Sequence, residues 1–267
     1  MLNDKTINIG MPSLIELDTI EENTELCKEL GFNFIELNMN FPYNMIDKID
    51  PSYLRNLAMK NNIEFTMHMP DDADTASFYD EVKKGYLKLF IDTIKWARES
   101  NVKLLNMHIA KGAYMTLPDK KVYINEKYSD EYISSFLNSM KVISEAAKKN
   151  EIIVCIENSS NFGLNYVQKI LEESLLLDNI FLTWDVGHDY ISNYSDKKTI
   201  LNHKNKIRHM HLHDASQNND HLALNEGELN IIEHINFASN HKLSMLVEVK
   251  SKEALIKSVQ WLNKRLT

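Results

Sequence analysis

The sequence predicts a single (β/α)8 barrel spanning residues 1–267, on three observations. Short apolar runs alternate with longer amphipathic segments. No Pro/Gly/Ser-rich linker, low-complexity tract or long like-charge run divides the chain. The runs from the third onward end in or near histidine or carboxylate residues, where such barrels carry their chemistry.

The runs read TINIG (6–10), FNFIELN (32–38), IEFTMH (63–68), VKLLNMH (102–108), IIVCIE (152–157), IFLTWD (180–185), IRHMHLH (207–213) and SMLVEV (244–249). They are short and rich in β-branched residues, as buried strands are. Between them lie segments such as ASFYDEVKKGYLKLFIDTIKWARES and DEYISSFLNSMKVISEAAKKN, with SKEALIKSVQWLNKRL closing the chain. Their apolar residues recur at threes and fours, the period of an amphipathic helix. Strand–helix alternation implies a parallel sheet with right-handed crossovers, and eight strictly alternating units imply closure. An open doubly wound sheet would carry a G-x-G-x-x-G after its first strand, and this chain has none.

Composition narrows the function. An apolar content of 43% in 267 residues is enough for one full core. A formal charge of −8 and a pI near 5.7 disfavour a nucleic-acid partner and suit a small-molecule substrate. The opening MLNDKTINIG has acidic and amide residues where a signal peptide would place an apolar run, so none is expected, and no run approaches the ~18–20 apolar residues of a membrane span. Cys27 and Cys155 form no C-x-x-C, so neither a disulfide framework nor a thiolate zinc site is expected. A cytoplasmic protein is the expectation.

The strand ends carry the strongest signal. His68 ends the third run, His108 the fourth, Glu157 the fifth and Asp185 the sixth; His211 and Glu248 lie near the ends of the seventh and eighth. Two residues back stand Thr66, Asn106, Cys155, Thr183, His209 and Leu246, mostly small or polar, as crowded barrel layers require. Three carboxylates and an imidazole in one barrel mouth would repel without a cation. Glu157, Asp185, His211 and Glu248 are therefore expected to hold a divalent ion, Mn, Mg or Co by their oxygen content, Zn or Fe if further histidines join. His188, three residues after Asp185, and Asp220–His221 extend the set, with His68 and His108, beyond what one ion can use. One to three ions are thus in play. Each extra histidine could instead contact substrate or brace a ligand.

Within IRHMHLHD, alternation puts His209, His211 and His213 on one face. His211 is the expected ligand, His209 a deeper structural residue, and His213 a residue that orients ligands or substrate. Asp214 has the opposite parity and is expected to hold the following loop. The insertion AKGAYMTLPDKKVYINEKYSD reads as a non-helical loop, a candidate lid that brings Lys111 to the substrate. Lys250 is placed to meet an anionic substrate. Met67, Met69, Met107 and Met115 either line the mouth or fill core gaps.

The motifs GFNFIEL, MHMP, NMH, IEN, DVGH, HLHD, HLALNEGEL and VEVK occur in the order seen in the xylose-isomerase-like barrels, the AP endonuclease family 2 superfamily, which the whole chain resembles. That superfamily includes endonuclease IV, ketose epimerases and sugar-phosphate isomerases. The resemblance implies a metal at the positions of Glu157, Asp185, His211 and Glu248, and in the endonuclease three metals completed by those of His68, His108, His188 and His221. The chain departs from these patterns at several points. Asn219-Asp220-His221 replaces D-x-H, Asn225 replaces the first glycine of L-G-E-G, and ASQNN stands where ketose epimerases usually carry an arginine. The segments NDHLALNEGEL and LVEVKSKEALIKSVQWL also resemble phosphodiesterases that cut the cobamide nucleotide loop. Barrels of this kind often pair as homodimers.

Two activities follow from the sequence. The favoured one is hydrolysis of a small-molecule phosphoester, including the cobamide loop, at a multi-metal site. The alternative is isomerisation or epimerisation of a sugar or sugar phosphate, with Glu157 and Glu248 exchanging a carbon-bound proton and His188 orienting a hydroxyl.

Overall fold

The computed structural model describes residues 8–265. Thr6 and Ile7 of the first run, and Leu266 of the last helix, lie outside the described residues. The strands are β1 (Asn8–Pro12), β2 (Phe34–Asn38), β3 (Glu64–His68), β4 (Leu104–His108), β5 (Tyr114–Thr116), β6 (Lys121–Tyr123), β7 (Ile153–Glu157), β8 (Ile180–Asp185), β9 (Ile207–Leu212), β10 (Asp214–Ser216), β11 (Asn219–Leu222) and β12 (Ser244–Val247). Eight of them close a barrel in the order β1-β12-β9-β8-β7-β4-β3-β2. Every barrel pair whose register is defined runs parallel, as βα crossovers demand.

The helices form where caps and periodicity agree. Thr19 and Glu22 make a capping box for Ile20–Leu30, which ends at Gly31 with φ 80°. Asp50 accepts from the Tyr53 N–H and Pro51 opens the next helix. The two longest helices, Asp80–Ser100 and Ser129–Asn150, pack against each other and put Phe90, Ile94, Phe136, Met140 and Ile143 into the core between helices and barrel.

Two sequence expectations need correction. The described residues form ten α-helices, not eight, because the units after β4 and β8 each carry an extra short one, Ile124–Lys127 and Val186–Ile191. The insertion after β4 is not a plain loop: β5 and β6 pair antiparallel, with the Lys121 ammonium 4.4 Å from the centre of the Tyr114 ring. Met67, Met69 and Met107 are buried in the core, whereas Met115 on this hairpin is exposed. Among the described residues no helix is long and apolar enough to cross a membrane.

Register places the site. Glu157 lies beside His108, Asp185 beside His211, and His68 beside Asn106. The polar ends of β3, β4, β7, β8 and β9 therefore converge on one mouth, and Glu248, whose N–H donates to the Leu212 carbonyl, joins them just past β12.

Candidate metal centre

Glu157, Asp185, His211 and Glu248 each offer a ligand atom, and the four atoms lie within 4.8 Å of one another. His211 Nδ1 is at the centre, 2.8 Å from Glu248 Oε2, 3.2 Å from Glu157 Oε1 and 4.0 Å from Asp185 Oδ2. All four residues are buried or nearly so. His211 Nδ1 and Glu248 Oε2 have no hydrogen bond of acceptable geometry. Buried polar atoms are normally satisfied, so converging ones without a hydrogen bond fit a cation site. Three oxygens and one imidazole nitrogen suit a divalent ion, and by this test the residues fit one.

The charges agree. Burial alone would raise the carboxyls of Glu157 and Glu248, but His211 beside both, with His108 near the first and Lys250 near the second, holds them well below the ordinary range. Burial opposes a charge on His211, yet Glu157, Glu248 and Glu36 together raise it well above a normal histidine. The pocket thus demands positive charge at its centre.

Neighbouring groups fix each of these residues. Asn106 Nδ2 donates to Glu157 Oε2, and Thr183 Oγ1 holds Asn106 Oδ1 at 2.7 Å. Asn158 clamps the end of β8 by accepting from the Asp185 N–H at 2.8 Å and donating to its carbonyl at 2.9 Å. Asp185 Oδ1 accepts from the His188 N–H at 2.6 Å and lies 3.1 Å from His213 Nε2. The His221 N–H and the Asp214 carbonyl face His213 Nδ1 at 2.9 and 3.2 Å, while Nε2 of that ring faces Asp185. A Cβ at position 187 would overlap the His213 ring, so Gly187 is what lets that ring reach the aspartate.

Two histidine clusters flank this centre. His68 and His108 stand with Asp71, a residue sequence reasoning passed over because it lies on the loop beyond β3. His68 Nδ1 donates to the Met69 carbonyl at 2.7 Å and aims Nε2 at Glu157 Oε2, 3.3 Å away. Burial opposes its protonation, but Glu157 outweighs this and pushes His68 up to about 9. His188, His213 and His221 form the other cluster. Asp220 does not join it. Its carboxylate sits on the exposed hairpin 3.0 Å from His221 Nδ1, behind the ring, while Nε2 lies 3.7 Å from Glu248.

A cavity of about 330 Å³ opens beside the centre, lined by Ser13, Asn38, Phe41, Asp71, Glu248 and Lys250 among others. Lys250 Nζ lies 2.6 Å from Glu248 Oε1. Lys111, half-buried beyond β4, does not line this cavity. Asp214 holds the loop: its carboxylate accepts from the N–H groups of Ala215, Asn225 and Leu229 at 2.9–3.0 Å. Asn225 has φ 71°, a left-handed conformation that asparagine tolerates better than most residues.

Sequence reasoning also missed Glu36. It is buried on β2, with Oε1 3.0 Å from His211 Nε2 and Oε2 3.4 Å from His209 Nε2. The signal was present, since Glu36 stands two residues before Asn38, the residue that ends β2. Because β2 ends in asparagine, the strand drew no attention.

No curated relative matches the chain by sequence. Among solved structures, a D-tagatose 3-epimerase-like protein superposes with a TM-score of 0.79 at 22% identity, covering 97% of each chain. The 3-keto-D-glucoside 4-epimerase YcjR from E. coli gives 0.74 at 17%, covering 97% of this chain and 99% of its own. The IolI protein with a bound zinc atom gives 0.74 at 12%, covering 97% of each. At these identities the likeness shows the shared fold. The family model described as the xylose isomerase-like TIM barrel matches residues 24–265, and the chain belongs to that family.

Proposed function

We propose that this protein is a divalent-metal-dependent isomerase or epimerase of a small sugar or sugar phosphate, with Glu157 and Glu248 as the proton-transferring pair. The observation that carries the reading is the convergence of those two carboxylates on one imidazole nitrogen, 3.2 and 2.8 Å from His211 Nδ1. The epimerase neighbours favour it over the phosphoesterase that the histidine count first suggested. A bound ion would supply Lewis-acid polarisation of a ketose carbonyl and so acidify the adjacent C–H.

The protein groups do the rest. Glu157, the more deeply buried, is oriented by Asn106 and His68, and Glu248 by Lys250. One ionised glutamate removes the carbon-bound proton, and the other returns one to the opposite face. His188 and Lys250 border the centre and are placed to bind hydroxyl or phosphate oxygens. Lys111, outside the cavity, is assigned no such role.

The test is exchange of solvent deuterium into a panel of ketoses and their phosphates, with Mn²⁺ or Co²⁺ added. The reading predicts deuterium at the carbon next to the carbonyl, and a loss of about 10³-fold or more in Glu157→Gln and Glu248→Gln. Metal-dependent phosphate release without any carbon exchange would overturn it.

A second reading keeps one specific observation in its favour. His68, Asp71 and His108 gather ligand atoms beside Glu157, as a second ion of a phosphoesterase would need. Under it the substrates to try are small phosphodiesters, including the cobamide nucleotide loop.

A further inference from the structure

We infer that Glu36, at the floor of the barrel mouth, is a positioning residue that acts through His211. It grips the ring from below so that Nδ1 faces Glu157, Asp185 and Glu248. The inference rests on the metal centre assigned under the proposed function.

Four observations carry it. Glu36 is 2% exposed, at the edge of the cavity beside the centre, and His211 is fully buried, so protein groups supply most of their polar partners. Among the described residues Glu36 is the only carboxylate within 4.0 Å of His211 Nε2, and the carboxylates of the metal centre all address Nδ1 of the same ring. The far oxygen of Glu36 is fixed in turn: Thr66 Oγ1 donates to Oε2 at 3.0 Å, and His209 Nε2 lies 3.4 Å from it. His209 is braced on its other side by Ser244 Oγ, 2.6 Å from Nδ1. A glutamate on β2, a threonine on β3, two histidines on β9 and a serine on β12 thus form one polar floor, with Glu36, His209 and His211 buried and Thr66 and Ser244 half-buried.

The physical reason for such a floor is directional. An imidazole has two nitrogens, and it binds an ion through one only when the other carries the proton. A carboxylate behind a ligating histidine fixes the tautomer, restrains ring rotation and makes the ligating nitrogen more basic. Burying a carboxylate in a barrel is costly, and an apolar residue at position 36 would fill the same space without that cost. The Glu36 contact to His211 is short but off the line of the ring N–H, since Nε2 lacks a hydrogen bond of acceptable angle.

The test is ion affinity, measured by chelator competition with Mn²⁺ and by the visible spectrum of the Co²⁺-loaded protein. Glu36→Gln is expected to weaken Mn²⁺ binding about 10–100-fold and to shift the Co²⁺ bands. Thr66→Val, which frees one oxygen of Glu36, is expected to weaken it by a smaller factor, and it carries the test if Glu36→Gln does not fold. Ser244→Ala removes the partner of His209 Nδ1, a hydroxyl that also donates to the Arg208 carbonyl, and, being two contacts away from His211, is expected to change affinity less than Thr66→Val does. A change within twofold in Glu36→Gln, or in Thr66→Val should it stand alone, would overturn the inference. So would an equal loss in Ser244→Ala. If the wild-type protein binds no ion, the metal centre itself fails, an outcome distinct from an ion bound equally well without Glu36.

Discussion

Asp185 and Asp189 stand four residues apart, both buried, yet their carboxyls are driven in opposite directions. Burial would raise each. At Asp185 the imidazoles of His188 and His213 overcome burial and hold the carboxyl below its ordinary range. At Asp189 burial is reinforced by the neighbouring Asp196, and the Trp184 N–H, 3.4 Å away, is too weak an offset, so the group is pushed up to about 7. A buried carboxylate therefore does not mark a site by itself. A site is marked where nitrogen ligands and several carboxylates face one point, as they do around His211 Nδ1.

The same contrast separates the central cluster from the histidines beside it. In the centre, His211 Nδ1 and Glu248 Oε2 are left without hydrogen bonds. In the His188–His213–His221 cluster, His213 has both nitrogens occupied, by Asp185 and by the His221 N–H. The first arrangement suits a cation, whereas the second braces Asp185. The surplus of histidines, which left one to three ions open in the sequence, would on the proposed reading be in part support for one.

Substitutions can break this comparison, beginning with the largest effect. His211→Ala removes the nitrogen common to the whole cluster, and ion affinity in chelator competition should fall about 10²–10³-fold or more. His213→Ala leaves every central ligand in place but removes one of the two contacts that hold Asp185 Oδ1, and a fall of about 10-fold is expected. His221→Ala should change affinity by less than about threefold, because that ring reaches Glu248 only at 3.7 Å. If His221→Ala and His211→Ala weaken binding equally, the distinction between the clusters is lost.

The opposite half of the comparison is read in stability. Asp189 is neutral in the fold up to about pH 7, whereas in the unfolded chain it ionises near 3.8. The wild type therefore binds more protons folded than unfolded between these values and loses stability as pH rises through them. Asp189→Asn, which cannot ionise, should be more stable than wild type by about 1–3 kcal/mol in urea titrations at pH 8, with little difference at pH 4. An equal effect at both pH values would show that shape, not charge, sets the environment of Asp189.

Much of this was legible in the sequence. The eight barrel strands sit within one or two residues of their apolar runs, because each run is buried on both faces and bounded by helix caps. Glu157, Asp185, His211 and Glu248 could be named because each stands at or next to a strand end, where period-two alternation fixes its direction. What escaped lies off that pattern. Asp71 is on a loop, and the position of Asp220 depends on the β10–β11 hairpin, whose pairing no periodicity announces. Glu36 sits one layer below the mouth, where a glutamate reads as an anomaly in an apolar run rather than as a partner for a histidine on a distant segment. Which nitrogen of each histidine is free depends on contacts between strands far apart in the chain, and so could be read only from the fold.

If one ion site rather than three organises this mouth, as proposed, the number of ions per chain shows it. Protein purified without chelator or histidine tag, saturated with Mn²⁺ or Zn²⁺ and freed of excess, would be assayed by elemental analysis as wild type, His108→Ala and His211→Ala. The account predicts one tightly held ion in wild type and His108→Ala, and none in His211→Ala. Two or three ions in wild type, falling by one in His108→Ala, would contradict it and return the phosphoesterase reading to first place.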